Sequence, residues 1–117
     1  MNEAPSDASQ TTALAIATAA LYIARENPSA VMVVMPSDHV IKHEEKFVAA
    51  VRAAAKVAET GKLALFGIKP ADPNTGYGYI RKGQPLNGSG GAAKVHSFTE
   101  KPDRKKAEKY LAEGDYF

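Results

Sequence analysis

Two short apolar runs, "AVMVVM" at 30–35 and "LALFGI" at 63–68, bracket one helical pattern, and this order constrains the chain more than any other feature. Each run is apolar on both faces, which suits a strand buried in the middle of a parallel sheet. Between them Phe47, Val48, Val51, Ala54, Ala55 and Ala58 recur as an apolar stripe. The spacing predicts a helix from about Glu44 to Thr60. Glu44 and Glu45 favour its N-terminal dipole end, and Gly61 stands where a C-terminal cap belongs. Strand, helix and strand in that order predict a right-handed βαβ unit over 31–68 with its two strands parallel.

Upstream, "QTTALAIATAALYIAREN" carries Leu14, Ala17, Leu21 and Ala24 at helical spacing. Ser9 or Thr11 is a candidate start cap, and Asn27-Pro28 stops the helix. Residues 1–9 are small and polar and are expected to form a flexible N-terminus, which leaves 10–117 as one partial domain. Downstream the pattern changes. "KPADPNTGYGYI" is turn-rich and runs into Tyr77, Tyr79 and Ile80 as a strand, and "KGQPLNGSGGAA" reads as a loop. "KVHSFT" is a further strand, in which Val95, Ser97 and Thr99 alternate with His96 and Phe98. Residues 77–81 and 94–99 are expected to pair as a hairpin. Asp103 can cap a last helix, "RKKAEKYLAEG", that Gly114 ends.

Several function classes fall away on composition. A chain of 117 residues suffices for one domain with a modest core, and 44% apolar with 24% charged residues is ordinary for a soluble globular domain. A net charge of +2 is too small to argue for nucleic acid or a membrane surface. The absence of cysteine excludes disulfides, zinc–thiolate sites and a thiol nucleophile. No apolar run reaches transmembrane length, and "MNEAPSDASQ" has no basic region followed by an apolar core, so a cytoplasmic protein is the default expectation. "GSGG" at 88–91 lacks the Lys-Ser/Thr and helix start of a phosphate loop. Lys101, Arg104, Lys105, Lys106 and Lys109 read as a solvated helix face. His39 and His43 have the spacing of two zinc ligands on a helix, but no third ligand is evident, and both read as surface or turn histidines.

The first apolar run ends in Pro36, Ser37 and Asp38. In open α/β sheets ligands bind beyond the carboxyl ends of the strands, and Asp38 lies two residues past Met35. A carboxylate there can hold magnesium, which in turn holds phosphate oxygens. On pattern alone the simpler reading is a turn cap before the next helix.

Three segments then stand in order: "MPSDHVI" at 35–41, "FGIKPADPNTGYGYI" at 66–80 and "FTEKPD" at 98–103, followed by "KAEKYLAEGDYF". Together they resemble the mannose-1-phosphate guanylyltransferases, or GDP-mannose pyrophosphorylases, within the wider group of sugar-nucleotide pyrophosphorylases. The resemblance runs from about Thr11 onward. It implies an α/β chain with a partial Rossmann-like nucleotidyltransferase fold. That fold is three-layer α/β/α, with a mixed sheet in which the hairpin follows the βαβ unit. It also implies the conversion of GTP and mannose 1-phosphate to GDP-mannose and pyrophosphate, by in-line attack on the nucleotide's α-phosphate with magnesium offsetting charge. By position, Asp38 resembles the first magnesium ligand. Tyr77 and Gly78 resemble the loop that lies against the mannosyl unit. Glu100 resembles the carboxylate that meets sugar hydroxyls, and Lys101 the lysine that meets phosphate. Mannose 1-phosphate or GDP-mannose is the implied ligand.

The sequence also departs from that pattern. A glycine-rich nucleotide loop with Arg and Lys is not among residues 1–10, and Gln10, Thr11 and Leu14 replace the Arg, Asn and Pro that the resemblance implies at the first helix. The second metal carboxylate is not found downstream either. The chain therefore reads as an internal stretch of a catalytic domain, expected to be inactive alone, since electrostatic catalysis needs both halves of the site at once. Alternatives are a non-catalytic sugar-phosphate or sugar-nucleotide binding module, and a self-associating structural product of a truncated gene. A strand at 31–35 without its neighbour would present an apolar edge, so a homo-oligomer, most simply a symmetric dimer, is expected.

Overall fold

The computed structural model describes residues 7–38, 40–88 and 90–117, with side chains from Thr11 onward. Residues 1–6 of the expected flexible N-terminus, His39 and Ser89 lie outside the described residues. The chain divides between Glu44 and Glu45 into two compact units.

The first unit is built on α1 (Asp7–Glu26). It starts three residues before the pattern beginning at Gln10, so Ser9 and Thr11 fall inside the helix rather than at its cap. It stops where the sequence predicts. The Asn27 amide donates to the Ile23 carbonyl at 2.8 Å, and the Asn27 side-chain oxygen accepts from the Ser29 amide at 3.0 Å, a turn that Pro28 reinforces. The expected stripe is not the covered one. Leu14 and Leu21 are exposed, while Ile16 and Ile23, two turns apart, are half-buried.

The second unit holds the rest of α2 (Glu44–Ala58), then β1 (Gly78–Pro85), β2 (Ala93–Glu100) and α3 (Arg104–Glu113). α2 keeps the predicted stripe except at Val48, which is exposed, with Phe47, Val51, Ala54, Ala55 and Ala58 half-buried. β1 and β2 form the predicted antiparallel hairpin, in which Gly78 faces Glu100, Tyr79 faces Thr99 and Ile80 faces Phe98. The register shifts after Arg81, and the Leu86 amide closes the connection on the Ala92 carbonyl at 2.9 Å. On the other edge of β1, Ile80 and Phe117 exchange amide–carbonyl bonds of 2.7 and 2.9 Å, and Arg81 bridges Tyr116. β1 is thus paired on both sides.

α3 is set by its ends as the sequence predicts. The Asp103 carboxylate accepts from the Lys106 amide at 2.9 Å, and Gly114 takes φ 75°, a left-handed value that only glycine adopts without strain. Ala107 of this helix has no exposed surface left, and with Tyr79 and Tyr116 it makes the core. Tyr110 stacks on Tyr116 at 3.9 Å between ring centroids and tilts against Tyr79 at 5.6 Å. Each such aromatic pair is worth about 0.5–1.5 kcal/mol beyond its buried area.

The α/β class stands, but the predicted βαβ unit and mixed sheet do not. Among the described residues the sheet has two strands, antiparallel, and neither 30–35 nor 63–68 enters a ladder. An apolar run records suitability for a buried position, whereas a strand exists only when a neighbour takes its amides and carbonyls. Both runs keep their side chains largely open: Val34 is 52% exposed and Leu63 98%.

The contact beneath Ala107 leaves no space for added methylenes. Ala107→Leu is expected to lower the unfolding free energy by about 1–3 kcal/mol in urea denaturation. Ala112→Leu, on the exposed face of the same helix, is expected to stay within about 0.5 kcal/mol of the parent.

Candidate functional site at the open end of the hairpin

The segment "NTGYGY" at 74–79 enters β1 through a turn built by one side chain. The Asn74 side-chain oxygen accepts from the Gly76 amide at 2.7 Å, the local bond that favours Asn in turns. Tyr79, 3% exposed, donates its hydroxyl to the Asn74 carbonyl at 2.7 Å. Tyr77 is left at the tip with 68% of its surface open. Gly78 follows as the first residue of β1, and a side chain there has no room. A Cβ would stand 2.3 Å from the tip of the Phe98 ring and 2.9 Å from a Glu100 carboxylate oxygen. The absence of a side chain at 78 is what lets the hairpin end close over its two edges.

β2 ends opposite this turn. Glu100 pairs with Gly78, and the Lys101 amide donates to the Tyr77 carbonyl at 3.2 Å. Lys101 has φ 43°, the single non-glycine residue with positive φ among the described residues, and it precedes the buried Pro102. A residue before proline prefers extended backbone, so this conformation costs on the order of 1–3 kcal/mol. The hairpin register, the bond to Tyr77 and the Asp103 cap hold it from both sides. Such imposed strain is common where a side chain must point a particular way.

Four of the five candidate site residues, Tyr77, Gly78, Glu100 and Lys101, therefore meet at one end of the second unit. Asp38 lies in the first unit, exposed in the turn at 37–38. Among the described residues the ion pairs are Arg104 with Glu108 at 3.2 Å and Lys109 with Glu113 at 3.7 Å, both along α3. The Glu100 carboxylate and the Lys101 ammonium are left open to solvent. A carboxylate accepts hydrogen bonds from hydroxyls and an ammonium meets an anion. Side by side, they suit a ligand that is a polyol at one end and a phosphate at the other. Asn74, Tyr79 and Phe98 complete this end. The Asn-Thr-Gly turn was a readable signal for Asn74, but no spacing rule marks a Tyr hydroxyl that bonds five residues back.

A separate groove of about 830 Å³ in the second unit runs between α2, the 62–67 segment and the sheet, with Ala54, Val57, Phe66, Ile80, Val95 and Phe117 among its walls. None of the four site residues lines it. The predicted solvated face is present, with Arg104, Lys105, Lys106 and Lys109 all exposed.

Comparison with known proteins gives the family of the chain. The nucleotidyl transferase family model matches residues 1–117. The xanthan biosynthesis protein XanB of Xanthomonas campestris is 52% identical over 106 residues, covering 91% of this chain and 22% of that protein. A mannose-1-phosphate guanylyltransferase of Escherichia coli is 47% identical over 114 residues, covering 94% of this chain and 24% of the other. A crystal structure from Thermus thermophilus, described as a mannose-1-phosphate geranyltransferase, superposes with a TM-score of 0.62 and 35% identity. That superposition covers 71% of this chain and 24% of the other. The chain thus spans less than a quarter of the length of these relatives.

Lys101 supplies a stability test of the strained corner. Lys101→Gly removes the Cβ that opposes φ 43° and is expected to raise the unfolding free energy by about 0.5–1 kcal/mol. Lys101→Ala keeps the strain and is expected to change it by less than about 0.5 kcal/mol in the same urea titration.

Proposed function

Because the chain belongs to the nucleotidyl transferase family, we propose that it forms the sugar-phosphate-facing part of a mannose-1-phosphate guanylyltransferase domain. The observation that carries the reading is the meeting of Tyr77, Gly78, Glu100 and Lys101 at one hairpin end. In this role the Glu100 carboxylate accepts from sugar hydroxyls, Lys101 neutralises the sugar phosphate, and Gly78 lets the sugar approach the backbone. The phosphate oxygen of mannose 1-phosphate then attacks the α-phosphorus of GTP. A new phosphorus–oxygen bond forms, the bond to the β-phosphate bridge breaks, and pyrophosphate leaves. The protein's part is positioning and charge compensation.

Magnesium belongs to this reading with a restriction. Among the described residues no group of three or more His, Cys, Asp or Glu assembles to hold a metal. Asp38 offers one exposed carboxylate, which fits magnesium only as part of a ligand set that substrate phosphates complete. When bound, the ion would offset phosphate charge. The steps assigned to Glu100, Lys101 and Gly78 do not depend on it. Among the described residues no helix is long and apolar enough to cross a membrane, and a cytoplasmic site of action is part of the same proposal.

On their own, the 117 residues are proposed to bind without turning over, since no glycine-rich loop with Arg and Lys precedes the first helix within them. Isothermal titration is expected to give binding of mannose 1-phosphate and GDP-mannose, weakened by about tenfold or more in Glu100→Gln. With GTP, magnesium and mannose 1-phosphate, pyrophosphate release is expected to stay at the buffer rate. Turnover on the order of 1–10³ s⁻¹ would contradict this.

Self-association is the remaining part of the proposal. Val33, Val34 and Met35 are 46%, 52% and 50% exposed in a run that enters no ladder. A second copy supplies the covering such a run needs. Sedimentation is expected to give a dimer that Val34→Lys converts to monomer, and a monomeric parent at high concentration contradicts it.

A further inference from the structure

The turn that carries Tyr77 is tied to the core of the second unit by one side-chain bond. Tyr79 is buried at 3% exposure with its ring against Tyr110, yet its hydroxyl reaches out of the core to the Asn74 carbonyl at 2.7 Å. Asn74 in turn fixes Gly76 through its side-chain oxygen at 2.7 Å. From Tyr79 the connection therefore runs through Asn74 to Gly76, one residue before Tyr77. On the far side the Lys101 amide donates to the Tyr77 carbonyl at 3.2 Å. Tyr77, at the tip, is 68% exposed.

We infer that Tyr79 is a positioning residue for ligand capture: its hydroxyl fixes the 74–77 turn so that Tyr77 and Gly78 face the sugar of a sugar phosphate beside Glu100. This rests on the proposed function for the identity of the ligand, but not for the existence of the tether. A tether of this kind stores nothing and touches no substrate. It holds the turn in its ligand-ready form before binding, so ordering the loop does not draw on the binding free energy. The same core supplies a matched control. Tyr110 also lends its hydroxyl to a neighbour, Thr99 Oγ1 at 3.4 Å, which is not a residue of the turn. Removing either hydroxyl perturbs one aromatic cluster, but only one of the two changes reaches residues 74–77.

The experiment uses the full chain in three forms: parent, Tyr79→Phe and Tyr110→Phe. Two readouts are taken, the Kd for mannose 1-phosphate and the exchange rates of the Gly76, Tyr77 and Ala107 amides by NMR. Tyr79→Phe is expected to raise Kd by about 3- to 10-fold, the scale of one net hydrogen bond. It is also expected to speed exchange at Gly76 and Tyr77 while leaving Ala107 unchanged. Tyr110→Phe is expected to leave Kd and the turn amides at parent values. Equal Kd values for Tyr79→Phe and the parent overturn the inference. So does an equal loss in both variants, which would make the hydroxyl merely structural. If the parent binds no mannose 1-phosphate, the proposed function fails and positioning for that ligand fails with it. The exchange readout then separately decides the tether: unchanged Gly76 and Tyr77 rates in Tyr79→Phe remove it, and faster rates establish it.

Discussion

The packing of Tyr79, Ala107, Tyr110 and Tyr116 into one cluster is the contact on which the second unit depends. Ala107 is fully covered, and the rings of Tyr79, Tyr110 and Tyr116 close around it. A side chain larger than alanine has no room there, because an interior is packed to crystal-like density. Both ends of α3 are fixed independently, by the Asp103 cap and the left-handed Gly114. The Gly114 turn then sends 115–117 back along the free edge of β1, where Ile80 and Phe117 pair. Buried area, caps and an extra edge pairing thus reinforce one another around one strand.

The candidate site inherits its geometry from that strand. Tyr79 is at once a core residue and the anchor of the turn before it, so burial of its ring sets where its hydroxyl can reach. Across the hairpin, Glu100 and Lys101 stand where β2 must stop and the chain must turn into Pro102 and the cap of α3. Only Lys101 and Pro102 separate the end of β2 from the Asp103 cap, and Lys101 takes the strained φ of 43°. Glu100 and Lys101 are therefore held by the hairpin register, the bond to Tyr77 and the cap of α3.

Legibility from sequence followed the range of the interactions. The α2 pattern, the hairpin, the Asp103 cap and the Gly114 stop were all readable, because each depends on residues within a turn or two or on a two-residue alternation. The runs at 30–35 and 63–68 have the pattern of parallel strands, yet they enter no ladder, because a strand needs partners that its own residues do not encode. In α1 the covered positions are Ile16 and Ile23 rather than the Leu stripe, since which face is covered depends on neighbours and not on periodicity. The motif resemblance singles out Tyr77, Gly78, Glu100 and Lys101, and these four meet at one end of the hairpin. It was silent on Tyr79 and Phe98, whose roles arise only once the strands are in register.

The central claim is that the hairpin end, and not the larger apolar groove, receives the sugar phosphate. It is tested most directly by titrating the isotopically labelled chain with mannose 1-phosphate and following its amide resonances. The shifts are expected to cluster at 76–78 and 100–101 and to leave Ala54, Phe66 and Val95 in place. Shifts confined to those groove residues, or none at saturating ligand, would contradict it.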